Sequence, residues 1–178
     1  MRKEFTEEYY RDSPGYPSKR RMKKGPVAVI ECVQEIPCNP CEQACPFKAI
    51  SIGLPITNLP VLHEDACRGC GKCVAGCPGL AIFLLDADHD KKNATLTIPW
   101  EFIPLPEKGG SVTCLNREGK PVCRGTVTEV TDPEKNGKTA LVTCMFPKKH
   151  SAEVRFLHRS RGMTHGSKKH TKKRGETR

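Results

Sequence analysis

Eleven cysteines occur in 178 residues, and eight of them fall into two short runs. Cys67, Cys70, Cys73 and Cys77, followed by Pro78, spell C-x2-C-x2-C-x3-C-P. Four thiolates this close let one loop wrap a cubane whose irons each need a sulfur ligand, which is the chemistry of an iron-sulfur site. Upstream, Cys38, Cys41 and Cys45, followed by Pro46, repeat the second half of that run. The repeat extends past the ligands: CNPCEQACPFKAISI aligns with CGKCVAGCPGLAIFL at an offset of 32 residues. The first upstream ligand departs from it. An unbroken repeat places that ligand at Glu35, whereas the available thiol is Cys32, so the first loop reads C-x5-C. Cysteine pairs at this spacing also bind zinc, but a tetrahedral zinc site gives no reason for a doubled run ending in proline. A disulfide framework does not suit a reducing compartment.

Such loops need elements to hold them. Gly69, Gly71 and Gly76 are suited to letting backbone N-H groups approach the sulfides. Pro46 and Pro78 are expected to turn the chain away from the site and open short helices. Apolar segments at Val27 to Glu31, Ala49 to Leu54, Val61 to His63 and Ala81 to Leu85 read as strands around the two loops. The expectation is a pseudo-twofold βαβ pair, a small sheet covered by two short helices. Ile30, Ile50, Ile52, Leu80, Ile82 and Phe83 would wall in the sulfurs and exclude water.

Residues 27–86 resemble a ferredoxin-type two-cluster domain, with seven cysteines in register and one displaced. In such domains the fourth cysteine of each run reaches across to the other cluster. The resemblance therefore implies two 4Fe-4S clusters, one on Cys32, Cys38, Cys41 and Cys77, the other on Cys67, Cys70, Cys73 and Cys45. More narrowly, IECVQEIPCNPCEQACPFKAI, ITNLPVL and CRGCGKCVAGCPGLAIFLLD resemble the small iron-sulfur subunits that accompany flavin-dependent dehydrogenases of proline, opines and related amino or imino acids. In that group a short β-rich segment similar to PWEFIPLPEKGGSV follows. The resemblance implies a non-catalytic subunit that relays single electrons from the flavin of a partner dehydrogenase subunit, which holds the substrate site.

Downstream, Ala94 to Ile98, Ser111 to Leu115, Pro121 to Val130, Thr139 to Phe146 and Glu153 to Leu157 read as five strands of a small antiparallel barrel or sandwich. Ala140, Val142, Cys144 and Phe146 share one face, and Val112 shares a face with Cys114, so these cysteines read as core. With Cys123 they could form a third metal site only with a fourth ligand, such as His150 or His158. The fold class expected is α+β, a ferredoxin-like two-cluster module over 27–90 followed by a β-rich domain over 94–157. A basic arm at 1–26 and a basic tail at 158–178 flank them.

Charge is divided the same way. Residues 1–26, 27–98, 99–147 and 148–178 carry +4, −3, 0 and +9. The segment from 148 onward reads as too polar to form a core, and SKKHTKKR offers no aromatic for base stacking, so no nucleic-acid partner is expected. The longest apolar run, Leu80 to Leu85, is far too short to span a bilayer, and MRKEFTEEYYRDSPG has no signal-like apolar stretch. A cytoplasmic location follows as the expectation. No dinucleotide or phosphate loop is present, and His63 and His89 stand apart from any nucleophile motif, so neither enzymatic activity nor a small-molecule substrate is expected. Two other readings are a freely diffusing ferredoxin and, on the basic tails alone, a zinc-stabilised nucleic-acid-binding protein.

Overall fold

The structure is a computed structural model that describes residues 7–158. It is mostly antiparallel sheet with few helices. The upstream half contains α1 (Glu7–Arg11), β1 (Val27–Ile30), α2 (Pro40–Ala44), β2 (Ile50–Ser51), β3 (Val61–Leu62), α3 (Lys72–Ala75) and β4 (Ile82–Asp86). The downstream half contains β5 (Asn93–Trp100), β6 (Ser111–Leu115), β7 (Pro121–Val130), β8 (Ala140–Pro147) and β9 (Phe156–Leu157). Beyond His158, the basic tail lies outside the described residues, as do residues 1–6 of the arm. Among the described residues, no helix is long and apolar enough to cross a membrane.

Seven strands form one sheet in the order β1-β4-β5-β8-β7-β6-β9, and β2 pairs with β3 in a separate ribbon. The expected boundary near residues 90–94 is therefore a turn within one sheet. There β4 runs into β5, with Leu84, Leu85 and Asp86 opposite Thr97, Leu96 and Thr95. The Asp90 carboxylate fixes this turn by accepting from the backbone N-H groups of Lys92 and Asn93, both at 2.7 Å.

β1 is buried throughout because both of its faces are covered, which explains its unbroken apolar run. Ala28 and Ile30 join Ile82, Leu84 and Val74 in a core against the cysteine loops. Val29 joins Leu85, Leu96, Ile98, Val142 and Phe146 in a second core under the downstream strands. The sheet curls until its edge strands meet. Arg155, just before β9, donates from Nε to the carboxylate of Glu31, just after β1, at 2.7 Å. Arg117, from the β6–β7 turn, donates to the same carboxylate at 2.6 and 2.9 Å.

Three sequence expectations require correction. The helices precede the prolines: Pro40 occupies the first turn of α2, where its missing N-H does no harm, while Pro46 and Pro78 follow the helix ends. The arm is part of the fold, because Gly15 C=O accepts from Ile30 N-H at 3.1 Å and Pro14 C=O accepts from Leu62 N-H at 2.9 Å. The segment from Lys148 to Leu157 also belongs to the fold: Val154, Arg155 and Leu157 are buried. Its polarity was misleading because the buried cation is neutralised by a carboxylate far away in sequence.

Candidate iron-sulfur centre

Each cysteine run is delivered by the end of an apolar strand and closed by one turn of helix. Cys32 follows β1, and Cys41 is carried by α2; in the second half Cys70 precedes α3, which carries Cys73. Gly71 stands at the start of α3 with φ of 80°, a left-handed conformation for which glycine is suited. Gly76 lets the helices approach, since a Cβ there would lie 3.1 Å from the Cβ of Ala44. Ala44 and Gly76 are equivalent under the 32-residue offset, so this meeting point lies between the two repeats.

The repeat is also visible in the backbone. Lys48 and Leu80, 32 residues apart, both have φ of 51°. Ala49 N-H donates to Cys45 Sγ at 3.2 Å, and Ala81 N-H donates to Cys77 Sγ at 3.4 Å. Ala28 N-H lies 3.5 Å from Cys67 Sγ. Three alanine N-H groups thus point at cysteine sulfur. Gly69 faces the backbone of Pro26, whose carbonyl oxygen would lie 2.6 Å from an added Cβ.

The eight thiols gather in two hollows. Cys32, Cys38, Cys41 and Cys77 line one, walled by Ile30, Ile52 and Ile82. Cys67, Cys70, Cys73 and Cys45 line the other, walled by Ala28, Ile50 and Leu84. The last cysteine of each run therefore sits in the hollow of the opposite run. Cys32 reaches its hollow despite the longer loop, and Glu35 is exposed. Of the predicted wall residues, Leu80 and Phe83 fail: Leu80 has a left-handed backbone and is 41% exposed, and Phe83, opposite Val29, packs against the second core instead.

Burial and then the neighbouring Cys77 and Cys38 push the Cys41 thiol up to about 11. Burial, followed by Cys67, Cys70 and Cys45, pushes Cys73 up to about 12. Cys77 is raised chiefly by burial, against the opposing pull of the Ala81 and Gly79 N-H groups, with Cys32 and Cys38 adding repulsion. Clustered buried thiolates repel one another, so they require a cationic centre to replace their protons. This donor set fits iron-sulfur clusters, whose thiolates attach to separate irons rather than converging on one ion. Among the described residues, no three His, Cys, Asp or Glu side chains are placed to share a single metal ion.

A buried arginine anchors the second loop. Arg21 Nη2 donates to Cys67 C=O at 2.8 Å and to Pro26 C=O at 3.1 Å, and its Nε donates to Glu64 C=O at 3.0 Å. Glu31, Arg117 and Arg155 lie beside the first loop. Neither group was found from the sequence, because long-range charge pairing leaves no local pattern. Ser51 Oγ and His63 Nε2 lie 2.8 Å apart on the exposed ribbon.

The remaining cysteines gather in the second core. Cys114 Sγ and Cys144 Sγ lie 3.8 Å apart, and both are fully buried. Cys123 is directly opposite Cys114 across the β6–β7 ladder. The sulfurs of Cys114 and Cys144 meet above Gly125, where an added Cβ would stand 2.7 and 2.6 Å from them.

With this geometry in place, residues 60–83 match the family of 4Fe-4S binding domains. The matched stretch contains Cys67, Cys70, Cys73 and Cys77. These residues carry a ferredoxin-type 4Fe-4S binding segment. The chain is similar to the ferredoxin-type protein NapF of Haemophilus influenzae, at 41% identity over 66 residues, 35% of this chain and 38% of that relative. The chain thus spans well under half of the curated relative it matches. No solved structure gives a significant match.

Proposed function

We propose that this protein carries two 4Fe-4S clusters and relays single electrons from the flavin of a partner amino- or imino-acid dehydrogenase subunit. The observation that carries the two-cluster reading is the pair of four-thiol hollows, with Cys45 and Cys77 exchanged between the runs. Bound there, each cluster supplies a one-electron couple. The chain's own residues do the rest. The isoleucines and Leu84 keep water from the sulfurs, and the N-H groups of Ala28, Ala49 and Ala81 lie within reach of Cys67, Cys45 and Cys77. Apolar exclusion and N-H donation to sulfur are the means by which a protein sets a cluster potential.

The partner is argued from what exceeds a minimal carrier. Five strands beyond the cysteine loops extend the sheet and give the module a second surface. The test has two stages. Anaerobic reconstitution should saturate near eight iron and eight sulfide per chain, whereas saturation near four would leave a single cluster. Purification through a tag on this chain should then recover a flavoprotein whose amino- or imino-acid substrate bleaches the iron-sulfur absorption on mixing. If no flavoprotein is recovered and the chain exchanges electrons with general ferredoxin reductases, it is a diffusible ferredoxin.

A further inference from the structure

A cavity of about 760 Å³ lies away from both cysteine hollows. It falls in the size range of sites that accept a ligand or an inserted side chain. Its floor is apolar, formed by Met22, Leu85 and Ala87. Its rim is basic: Arg11, Lys19, Lys23, Lys148 and Lys149 surround it, with Asp88 as the acid among the lining residues. Asp88 is already held by Lys148 at 2.8 Å. Lys19, Lys23 and Lys149 are exposed, and none forms an ion pair among the described residues. The cleft therefore combines apolar surface with a clear excess of positive charge.

One wall connects the cleft to the second cysteine loop. The segment from Tyr16 to Lys23 lines the cavity, and the same segment clasps that loop. Ser18 donates from its N-H and its Oγ to the Glu64 carboxylate at 2.6 and 2.7 Å, while Arg21 donates to Cys67 C=O at 2.8 Å. The same strap of chain thus borders the cleft and holds the Cys67 loop.

We infer that this cleft is the docking site for an acidic peptide segment bearing an apolar side chain, presented by the protein that exchanges electrons with the Cys67 hollow. The role in exchange rests on the electron-transfer reading above; the binding does not. Charge complementarity selects the occupant. An apolar side chain covers the floor while carboxylates on either side meet the lysine rim, which also speeds encounter. Nucleic acid is the poorer fit. The lining aromatic is Tyr16, and it is packed against the second core rather than presented for base stacking.

The test uses the cluster-loaded full chain and a fluorescein-labelled hexapeptide, Glu-Asp-Leu-Phe-Asp-Glu, read by fluorescence anisotropy. Binding should be evident at low salt and weaken severalfold at about 0.15 M, where charges are screened beyond roughly 8 Å. Combining Lys19→Glu, Lys23→Glu and Lys149→Glu should weaken it at least tenfold. The same charge change at Lys108, Lys120 and Lys138, outside the cleft lining, should not. A probe with Ser in place of Leu and Phe should also bind at least tenfold more weakly. Equal loss in both triple variants, or indifference to the apolar residues, would overturn the proposal. So would displacement of the probe by a single-stranded oligonucleotide at lower concentration than by unlabelled peptide. A chain that binds the probe but never accepts electrons defeats the electron-transfer reading alone. A chain that relays electrons without binding the probe defeats the docking site alone.

Discussion

Replacing Glu31 with Gln should be among the most damaging single changes to the fold outside the cysteines. The Glu31 side chain is 7% exposed and accepts from Arg117 and from Arg155, whose own side chain is 3% exposed. Removing its charge leaves a deeply buried guanidinium without its counter-charge. Loss of one partner from a buried pair costs about 3–5 kcal/mol. For a chain of this length each kcal/mol lowers the melting temperature by roughly 2–4 °C, so Glu31→Gln should melt about 6–20 °C below the parent. Circular dichroism melts of both proteins give the number. A pH series supplies an independent check. Burial alone would raise the Glu31 carboxyl, but hydrogen bonds and charge from Arg117 and Arg155 outweigh it and hold it below its ordinary 4.5. The sign follows: a depressed carboxylate contributes stability at neutral pH and loses it as pH falls below 4.5 through the lower folded value. The parent should lose that increment in acid, and Glu31→Gln should not. A melting difference under about 2 °C at pH 7, or one that fails to narrow in acid, would refute the buried-pair argument.

Other outcomes follow from the same structure. Cys32→Ser should abolish or perturb the cluster signal of the Cys38 hollow and leave that of Cys67, Cys70, Cys73 and Cys45 intact, as counted by iron content and electron paramagnetic resonance. Cys45→Ser should do the reverse, even though it lies in the first run. Gly125→Ala pushes a methyl group into the sulfurs of Cys114 and Cys144 and should destabilise the fold by about 1–3 kcal/mol in a urea titration. Adding Cys144→Ala, which clears one sulfur, should recover part of that loss. Truncation after His150 removes the buried Val154, Arg155 and Leu157 and should abolish a cooperative melt.

Much of the local structure was legible in the sequence. β6 and β7 have the ends that the Val- and Thr-rich runs suggest, and β8 begins and ends one residue later than expected. The cysteine repeat at an offset of 32 placed the second run, and the structure shows the same period in Lys48 and Leu80. What stayed hidden was long-range. The β4–β5 pairing crosses a polar stretch, Asp88 to Asn93, that reads as a linker because its turn is built by the Asp90 carboxylate rather than by apolar alternation. The helices were placed on the wrong side of Pro46 and Pro78, since proline fits equally before a helix or just beyond its end. Arg21 and Arg155 looked like surface charge because the groups that neutralise them, a set of backbone carbonyls and Glu31, carry no signal at neighbouring positions.

The bond that draws β1 and β9 together also sets an order of events during synthesis. Glu31 leaves the ribosome 124 residues before Arg155. At about 5–20 residues per second, that is an interval of roughly 6–25 s. Over the last 78 of those residues, from Cys77 to Arg155, all eight cysteines of the two runs have been synthesised while the clasp beside the first loop has no second arginine. Metal delivery to Cys32 and Cys38 therefore has a window in the life of each new chain before the finished sheet closes beside them. Arg155, far from both cysteine runs in sequence, ends that period of open access.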